Sequence, residues 1–453
     1  MRPVADAFEA ANQPVYLVGG IVRDVLLGRD LGPDHDLDLT TPAHPSEVKA
    51  IIAPIAEAVW TQGERFGTIG AKVGGRTVEI TTHRSEIYDP DSRKPEVAYG
   101  DAVEVDLARR DFTVNAMALR VPEPELIDPF GGAADLAAKV LRTPGAPEAS
   151  FTDDPLRMLR AARFIAGYGL EPVPELVAAV RDLAPRLDIV SAERIRDELD
   201  KLLVVEDPSA GLWFVVDTGL ADVFLPELPA MRLEQDPIHH HKDVLAHTIA
   251  VVANTRPRRI VRLAALLHDV GKPKTRSFTD GGVTFHHHDV KGARLARKRL
   301  QALRFDSDTI ASVTTLIELH LRFFGYAEGA WTDSAVRRYV RDAGDELSRL
   351  HILTRADVTT RNKRKAARLA AAYDDIERRI DELAAAEELG AMRPALDGNR
   401  IQEVLGIRPG PEVGKAYRYL LDLRLDEGVL DEADAEARLR AWWAAQGAAA
   451  ATE

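Results

Sequence analysis

Two adjacent glycines and two alternate aspartates near the N-terminus have the types and spacing best suited to phosphate chemistry. Gly19-Gly20-Ile21-Val22-Arg23-Asp24 follows the apolar run Val15-Tyr16-Leu17-Val18, and reads as a strand, a glycine turn and a helix start. Glycine lets a backbone pass close to a phosphate, and the first N–H groups of a helix point at it. Further on, Asp36-Leu37-Asp38 sits in an apolar frame ending Leu39-Thr40-Thr41, which reads as another strand. Residues i and i+2 share a strand face, so Asp36 and Asp38 present two carboxylates side by side. Their repulsion is relieved by a divalent cation, and an all-oxygen set suits Mg²⁺. A phosphate cradle beside a two-carboxylate metal site is equipment for metal-assisted nucleotidyl transfer. Either half alone is commonly a plain turn or a solvated strand edge; the pair in this order is far more specific.

Further groups extend this chemistry. Glu79, in the predicted strand Arg76-Thr77-Val78-Glu79-Ile80, offers a third carboxylate that could orient an attacking hydroxyl. Arg109-Arg110-Asp111-Phe112-Thr113-Val114-Asn115-Ala116 supplies two guanidiniums able to neutralise a triphosphate. Asp111 and Asn115, four apart, are expected on one helix face, where they can hydrogen-bond a sugar hydroxyl and hold arginine side chains. Asp153-Asp154-Pro155-Leu156-Arg157 is expected to open a helix with Pro155 in its first turn. An acceptor at Asp154 and a donor at Arg157 can together meet the edge of cytosine or adenine, and Arg160 and Arg163 continue a basic stripe. A second constellation is His247, His268-Asp269, His288, His320 and Asp357. Imidazole mixed with carboxylate favours Mn²⁺, Ni²⁺, Fe or Zn²⁺ over Mg²⁺. His268-Asp269 is expected on an apolar helix ending in a glycine cap. Which of His286, His287 and His288 serves as ligand stays open, and His239-His240-His241 reads as a loop.

In this order the motifs resemble those of the class II nucleotidyltransferases, the CCA-adding enzymes (tRNA nucleotidyltransferases) and bacterial poly(A) polymerases, over roughly residues 14–365. Gly63-Glu64-Arg65-Phe66-Gly67-Thr68 resembles the CCA-adding pattern, and 109–116 looks like that family's ribose- and phosphate-binding motif. Residues 153–157 match its Glu-Asp-x-x-Arg motif with Asp153 in place of Glu. Asp128-Pro129-Phe130-Gly131-Gly132 resembles a turn coupling head to neck, and Glu193 to Leu199 a brace for the nucleotide-binding helix. The histidine–aspartate set resembles HD phosphohydrolases, His288 and His320 matching ligands for a second ion. The resemblance implies Mg²⁺ on Asp36 and Asp38, with Glu79 as the neighbouring-strand carboxylate. It implies nucleotide contacts from Gly19, Gly20, Arg23, Arg109, Arg110, Asp111, Asn115, Asp154, Arg157, Arg160 and Arg163. The implied activity is template-independent addition of C and A, from CTP and ATP, to the 3′ end of tRNA, with an accessory HD phosphohydrolase. A poly(A) polymerase, or an HD hydrolase carrying an RNA-binding head, is the alternative.

The elements that must position these residues follow from the rest of the chain. At 453 residues, 45% apolar, it has material for several cores. It has no cysteine, which excludes disulfides and thiolate metal sites. No stretch approaches eighteen apolar residues, so a cytoplasmic protein with no membrane partner is expected. The net charge of −13 argues against a general nucleic-acid coat. Local basic faces, such as the thirteen Lys and Arg of residues 256–304 and the run Arg361, Lys363, Arg364, Lys365 and Arg368, suit a partner held at one place. Residues 15–82 alternate apolar strands with one expected helix at 46–58. Thr68–Val73 and Thr77–Thr82 are expected to form a hairpin around Gly74-Gly75. Residues 84–106 read as a polar loop, and the chain beyond as helical throughout. The expected fold is α+β: a mixed-sheet nucleotidyltransferase head (1–145), a helical neck (146–230), a helical HD domain (231–380) and a helical C-terminal region (381–453). The oligomeric state is left open.

Overall fold

The computed structural model describes residues 2–29, 32, 36–87, 96–100, 102–233, 243–279, 282–329, 331–360, 362–387 and 393–450. It divides into two compact units: residues 1–232 with 299–305, and residues 233–298 with 306–453. The fold is α+β, a mixed-sheet head followed by a helical remainder.

In the first unit the strands are β1 (Val15–Val18), β2 (Leu37–Thr41), β3 (Ala58–Trp60), β4 (Thr68–Val73), β5 (Arg76–Thr82), β6 (Arg84–Ile87), β7 (Glu96–Tyr99), β8 (Ala118–Val121) and β9 (Glu125–Ile127). Seven of them form one sheet in the order β3-β4-β5-β2-β1-β8-β9, antiparallel except for β2 with β5. Alternation decides its faces. Leu37, Leu39, Val78, Ile80, Ile69 and Ala71 are buried, and helices α1 (Arg2–Ala10) and α3 (Pro45–Ile52) supply Val4, Phe8, Val48 and Ile52 to the same core. Each such fully buried Val, Leu, Ile or Phe side chain contributes about 1.5–3 kcal/mol. The opposite face carries Asp38 and Glu79. Threonines hold the register of the central strands: Thr40 Oγ1 donates to Thr81 O at 2.9 Å, and Thr82 Oγ1 to Ala43 O at 2.8 Å.

Several local expectations change. The expected helix at 46–58 ends at Ile52, because residues 58–60 pair with β4 as an edge strand. Within 84–106 the expected loop gives way to a β6–β7 ribbon and the helix α4 (Val103–Ala108). The chain beyond is not helical throughout, since β8 returns beside β1. Helices α2 (Gly20–Leu26) and α5 (Gly132–Ala138) complete the head. Asp128 caps α5, accepting from Gly132 N at 2.6 Å and Ala133 N at 2.9 Å. The neck comprises α6 (Pro147–Asp153), α7 (Leu156–Tyr168), α8 (Pro174–Leu183), α9 (Ala192–Leu203), α10 (Ser209–Asp217) and α11 (Leu220–Phe224). Phe112 and Phe164, both buried, meet edge to face at 5.3 Å and join head to neck.

Among its described residues the second unit is helical apart from one short ribbon, Ser277–Thr279 with Gly282–Thr284. Helices α12 (Val244–Asn254) and α13 (Arg259–Leu267) pack with Ser307–Leu319 and Leu347–Ala356. The region after residue 380 is not one continuous helix: Lys363–Glu387 is followed by Gly398–Leu405, Pro411–Glu427 and Glu432–Ala450, which share their own core around Ile401, Leu420 and Leu439. His239–His241, Arg361 and Asp280 lie outside the described residues. No helix among those described is long and apolar enough to cross a membrane.

Candidate active site and metal centre

The sheet register assembles the carboxylates. Asp38 on β2 lies directly opposite Glu79 on β5, and both side chains are exposed on the face away from the core. Asp36, also exposed, immediately precedes the strand, within electrostatic reach of Glu79. Partial burial and the charges of Asp38 and Asp36 push the Glu79 carboxyl above its ordinary value. This unrelieved repulsion marks where a dication belongs. The donor set is all oxygen, and Mg²⁺ characteristically takes one or two carboxylates and leaves its other positions to water and phosphate. The residues therefore fit the metal.

The glycine turn lies at the end of β1, next to β2. Gly19 has φ of +71°, and a Cβ there would come within 2.9 Å of Arg110 Nη1. The left-handed φ is what favours glycine at that point. Arg110 thus lies against the turn that opens α2. It is held there by Asp106, a fully buried carboxylate on α4 that the sequence reading did not single out. Asp106 accepts from Arg110 Nη2 at 3.1 Å and from Arg109 Nη2 at 2.7 Å and Nε at 3.0 Å. Against the cost of burial, these two arginines hold its carboxyl below the usual range. The clue in the sequence was its spacing of three and four from the arginines.

Arg23 is placed beneath the turn rather than on its surface. It is buried, donates to Asn115 Oδ1 at 2.7 Å and Asp24 Oδ2 at 2.9 Å, and stacks 4.2 Å over the Tyr168 ring. Asp111 and Asn115 do not share a helix. The helix α4 ends at Ala108, and Thr113–Asn115 is a single 3₁₀ turn because Thr113 N turns away to Arg142 O. They still meet: Asn115 Nδ2 donates to Asp111 Oδ1 at 2.9 Å. Asp111 also accepts from Phe112 N at 2.8 Å and from Arg160 at 2.8 and 2.6 Å. Burial opposes its charge, yet Arg160, Asn115 and Arg157 hold its carboxyl at about 2. The structure gives Asp111 a framework part, joining head to neck through Arg160.

Asp154 is not in the helix. It is extended, between α6 and α7, and Arg157 N donates back to its carbonyl at 3.0 Å. Its carboxylate accepts from Leu156 N at 3.2 Å and from Arg194 Nη2 at 2.8 Å, so the neck motif on α9 does brace it. Arg157 donates to Ser150 Oγ at 2.9 Å and to Arg109 O at 2.6 Å, which ties it to the Arg109-Arg110 segment. Arg163 donates to Glu198, a buried carboxylate on α9, and stacks on Phe164. Arg160 and Arg163 are thus both committed to carboxylates of the protein.

The second unit brings all six sequence-predicted ligands together. Ligand atoms of His247, His268 and Asp357 lie within 4.8 Å of one another, as do those of Asp269, His288 and His320. Asp269 joins the two sets: Oδ2 is 3.2 Å from His268 Nε2, and Oδ1 is 3.4 Å from His288 Nε2. Three rings are oriented alike. Nδ1 of His268, His288 and His320 meets the carbonyl of Ala265, Phe285 and Ile317 at 2.8, 2.7 and 2.6 Å. A carbonyl only accepts, so each Nδ1 carries the hydrogen and each Nε2 faces the centre. The Nε2 atoms of His268 and His288 are buried without a hydrogen-bond partner. Burial and the neighbouring His268 push His320 down to about 4, whereas Asp269 and Asp357, against burial, raise His268 to about 10. A divalent cation would take the place of that proton. The set fits one or two transition-metal ions.

Of the three neighbouring histidines, His288 is buried while His286 and His287 are exposed. The expected glycine cap after α13 is absent: Gly271 has negative φ, and its Cβ would lie 2.1 Å from His288 O. That glycine serves a close approach, which delivers His288 to the centre. Two supporting residues went unread in the sequence, Lys272, 2.7 Å from Asp269 Oδ2, and Thr359, 2.8 Å from His247 Nδ1.

Comparison with known proteins agrees with this division. A model of the poly A polymerase head domain matches residues 15–142, one described as the probable RNA and SrmB-binding site of polymerase A matches 169–231, and one of the HD domain matches 241–362. The A-adding tRNA nucleotidyltransferase of Deinococcus radiodurans is 34% identical over 442 residues, 94% of this chain and 95% of its own. The CCA-adding enzyme of Limosilactobacillus reuteri is 39% identical over 220 residues, 48% of this chain and 53% of its own length. The crystal structure of the Bacillus stearothermophilus CCA-adding enzyme in complex with CTP shares the fold, with a TM-score of 0.69 over 98% of this chain and 97% of that one, at 24% identity.

Proposed function

The chain belongs to the tRNA nucleotidyltransferase family, and from that premise we propose that its head adds C and A, from CTP and ATP and without a template, to the 3′ end of tRNA. The observation that carries this reading is the placement of Asp38 opposite Glu79, next to a glycine turn backed by Arg110. Asp36 and Asp38 would hold Mg²⁺, which supplies positive charge to the phosphoryl oxygens when bound. The Gly19-Gly20 turn and the N-terminus of α2 receive the triphosphate, with Arg110 and Arg109 neutralising it. Asp154 and Arg157 present acceptor and donor to the base edge. Glu79 orients the 3′-hydroxyl of the RNA. The new bond joins that oxygen to the α-phosphorus as its proton is lost to solvent, the bond from the α-phosphorus to the α–β bridging oxygen breaks, and pyrophosphate leaves.

A second reading, addition of A alone, is favoured by a relative that matches over 94% of this chain and is an A-adding enzyme. The second unit, by its six converging ligands, would act as a metal-dependent phosphohydrolase, with 2′,3′-cyclic phosphates at RNA ends as substrates. Incubating tRNA lacking its CCA end, and tRNA ending in CC, with CTP and ATP separately distinguishes the cases. CTP incorporation into the first supports CCA addition, and ATP incorporation confined to the second supports A addition. Long A tracts on either would mean a poly(A) polymerase, and no incorporation on any acceptor would overturn the proposal.

A further inference from the structure

The row of residues through Asp38 and Glu79 continues beyond the carboxylates to the sheet edge. Glu79 on β5 is opposite Gly70 on β4, and Gly70 is opposite Trp60 on β3. Paired residues share a face, so Trp60, Gly70, Glu79 and Asp38 form one line across four strands. Gly70 leaves a gap in this line, and the Trp60 indole fills it: Nε1 lies 1.8 Å from where a Gly70 Cβ would stand. The indole therefore lies over Gly70, on the strand next to that of Glu79. Trp60, Gln62, Phe66, Thr68 and Glu79 line a cavity of about 350 Å³ there, a size typical of ligand clefts. At its rim the Arg65 guanidinium stands 4.5 Å over the Phe66 ring.

We infer that this cleft is the subsite for the 3′-terminal nucleotide of the acceptor RNA, its base stacking on Trp60 and its ribose reaching Glu79. The inference rests on the nucleotidyl-transfer reading and names where one of its two substrates lies. Displacement at phosphorus is in line, so the attacking oxygen and the leaving pyrophosphate stand on opposite sides of the α-phosphorus. The glycine turn and Arg110 lie on the β1 side of Asp38. The attacking hydroxyl must then come from the β5–β4–β3 side, which is where the cleft opens. An aromatic face accepts any base, which suits an acceptor whose last nucleotide changes as the chain grows. Arg65 at the rim meets the charge of the adjoining phosphodiester.

The test uses the full-length protein, ATP, and tRNA ending in CC, alongside the same tRNA with an abasic ribose at its last position. Stacking on a protein aromatic ring makes the intact acceptor's KM about tenfold or more lower than the abasic one's in the wild type. Trp60→Leu keeps apolar cover over Gly70 but removes the stacking face. It should raise KM for the intact acceptor to the abasic level and shrink the abasic penalty to less than about twofold, leaving KM for ATP unchanged. Trp60→Phe should restore most of the penalty. An abasic penalty that persists in Trp60→Leu, or Leu and Phe variants that behave alike, would overturn the subsite. A wild type without penalty would do so even if the Leu variant failed to fold. No ATP incorporation by wild type on either acceptor would instead overturn the nucleotidyl-transfer reading itself.

Discussion

Asp111→Asn removes one charge at the joint between head and neck, and its consequences can be worked through. The carboxyl is held at about 2 against an ordinary 3.8, because the favourable contacts with Arg160, Asn115 and Arg157 outweigh burial. A folded-state value below the unfolded one stabilises the protein above pH 3.8, and that stability is lost as pH falls toward 2. The full depression amounts to about 2 kcal/mol, of which about 1 kcal/mol is already lost by pH 3. Asparagine leaves Arg160 without its counter-charge. The Arg160 side chain keeps 31% exposure, so water softens the loss and the cost at neutral pH falls nearer 2 than 4 kcal/mol. Hydrogen exchange of head and neck amides, corrected for intrinsic rates at each pH, gives the local unfolding free energy. Between pH 7 and 3 the wild type should lose about 1 kcal/mol more than Asp111→Asn. Parallel profiles, or a cost at pH 7 below about 0.5 kcal/mol, would refute the reasoning. Because Asn115 passes this anchoring on to Arg23, addition activity should also fall about tenfold, a loss of 1.4 kcal/mol of transition-state stabilisation.

Other perturbations separate the parts of the site. Asp36→Ala or Asp38→Ala should abolish nucleotide incorporation while circular dichroism stays unchanged, since both side chains face away from the core; wild-type incorporation by either would remove them from the mechanism. Asp106→Asn should loosen Arg109 and Arg110 together, raising KM for the nucleotide about tenfold or more, a loss of roughly 1–3 kcal/mol, with KM for tRNA little changed. Asp154→Ala and Arg157→Ala should shift the ratio of CTP and ATP to UTP and GTP incorporation, and an unchanged ratio in both would take base choice away from this pair. His268→Ala with Asp269→Ala should eliminate transition-metal binding by calorimetry and hydrolysis of a 2′,3′-cyclic nucleotide, yet spare incorporation in Mg²⁺. Equal loss of both activities in a folded double variant would mean that the second unit only supports the first.

Local chemistry was legible in the sequence wherever neighbours in the chain are neighbours in space. The alternation around Asp38 put its side chain on the face away from the core, the Gly74-Gly75 turn fixed the β4–β5 hairpin, and His268-Asp269 with four distant partners pointed to a cluster whose ligand atoms do converge. Short-range patterns misled where a hydrogen-bond partner outside the local window decided the element. Residues 58–60 became an edge strand because β4 offered a free edge, and the arginine motif left its helix because Thr113 bonds to Arg142. Composition could not distinguish His286, His287 and His288, since the choice depends on Gly271 admitting the backbone of His288. Nor could it show which carboxylate or amide each arginine would pair with. Asp111 claims Arg160, Glu198 claims Arg163 and Asn115 claims Arg23, all across more than 30 residues of sequence. Residue types set which ions and phosphates this chain can hold. Burial and register, which exist only once the sheet and neck have closed, decided which charges pair within the protein and placed Trp60 in line with Asp38.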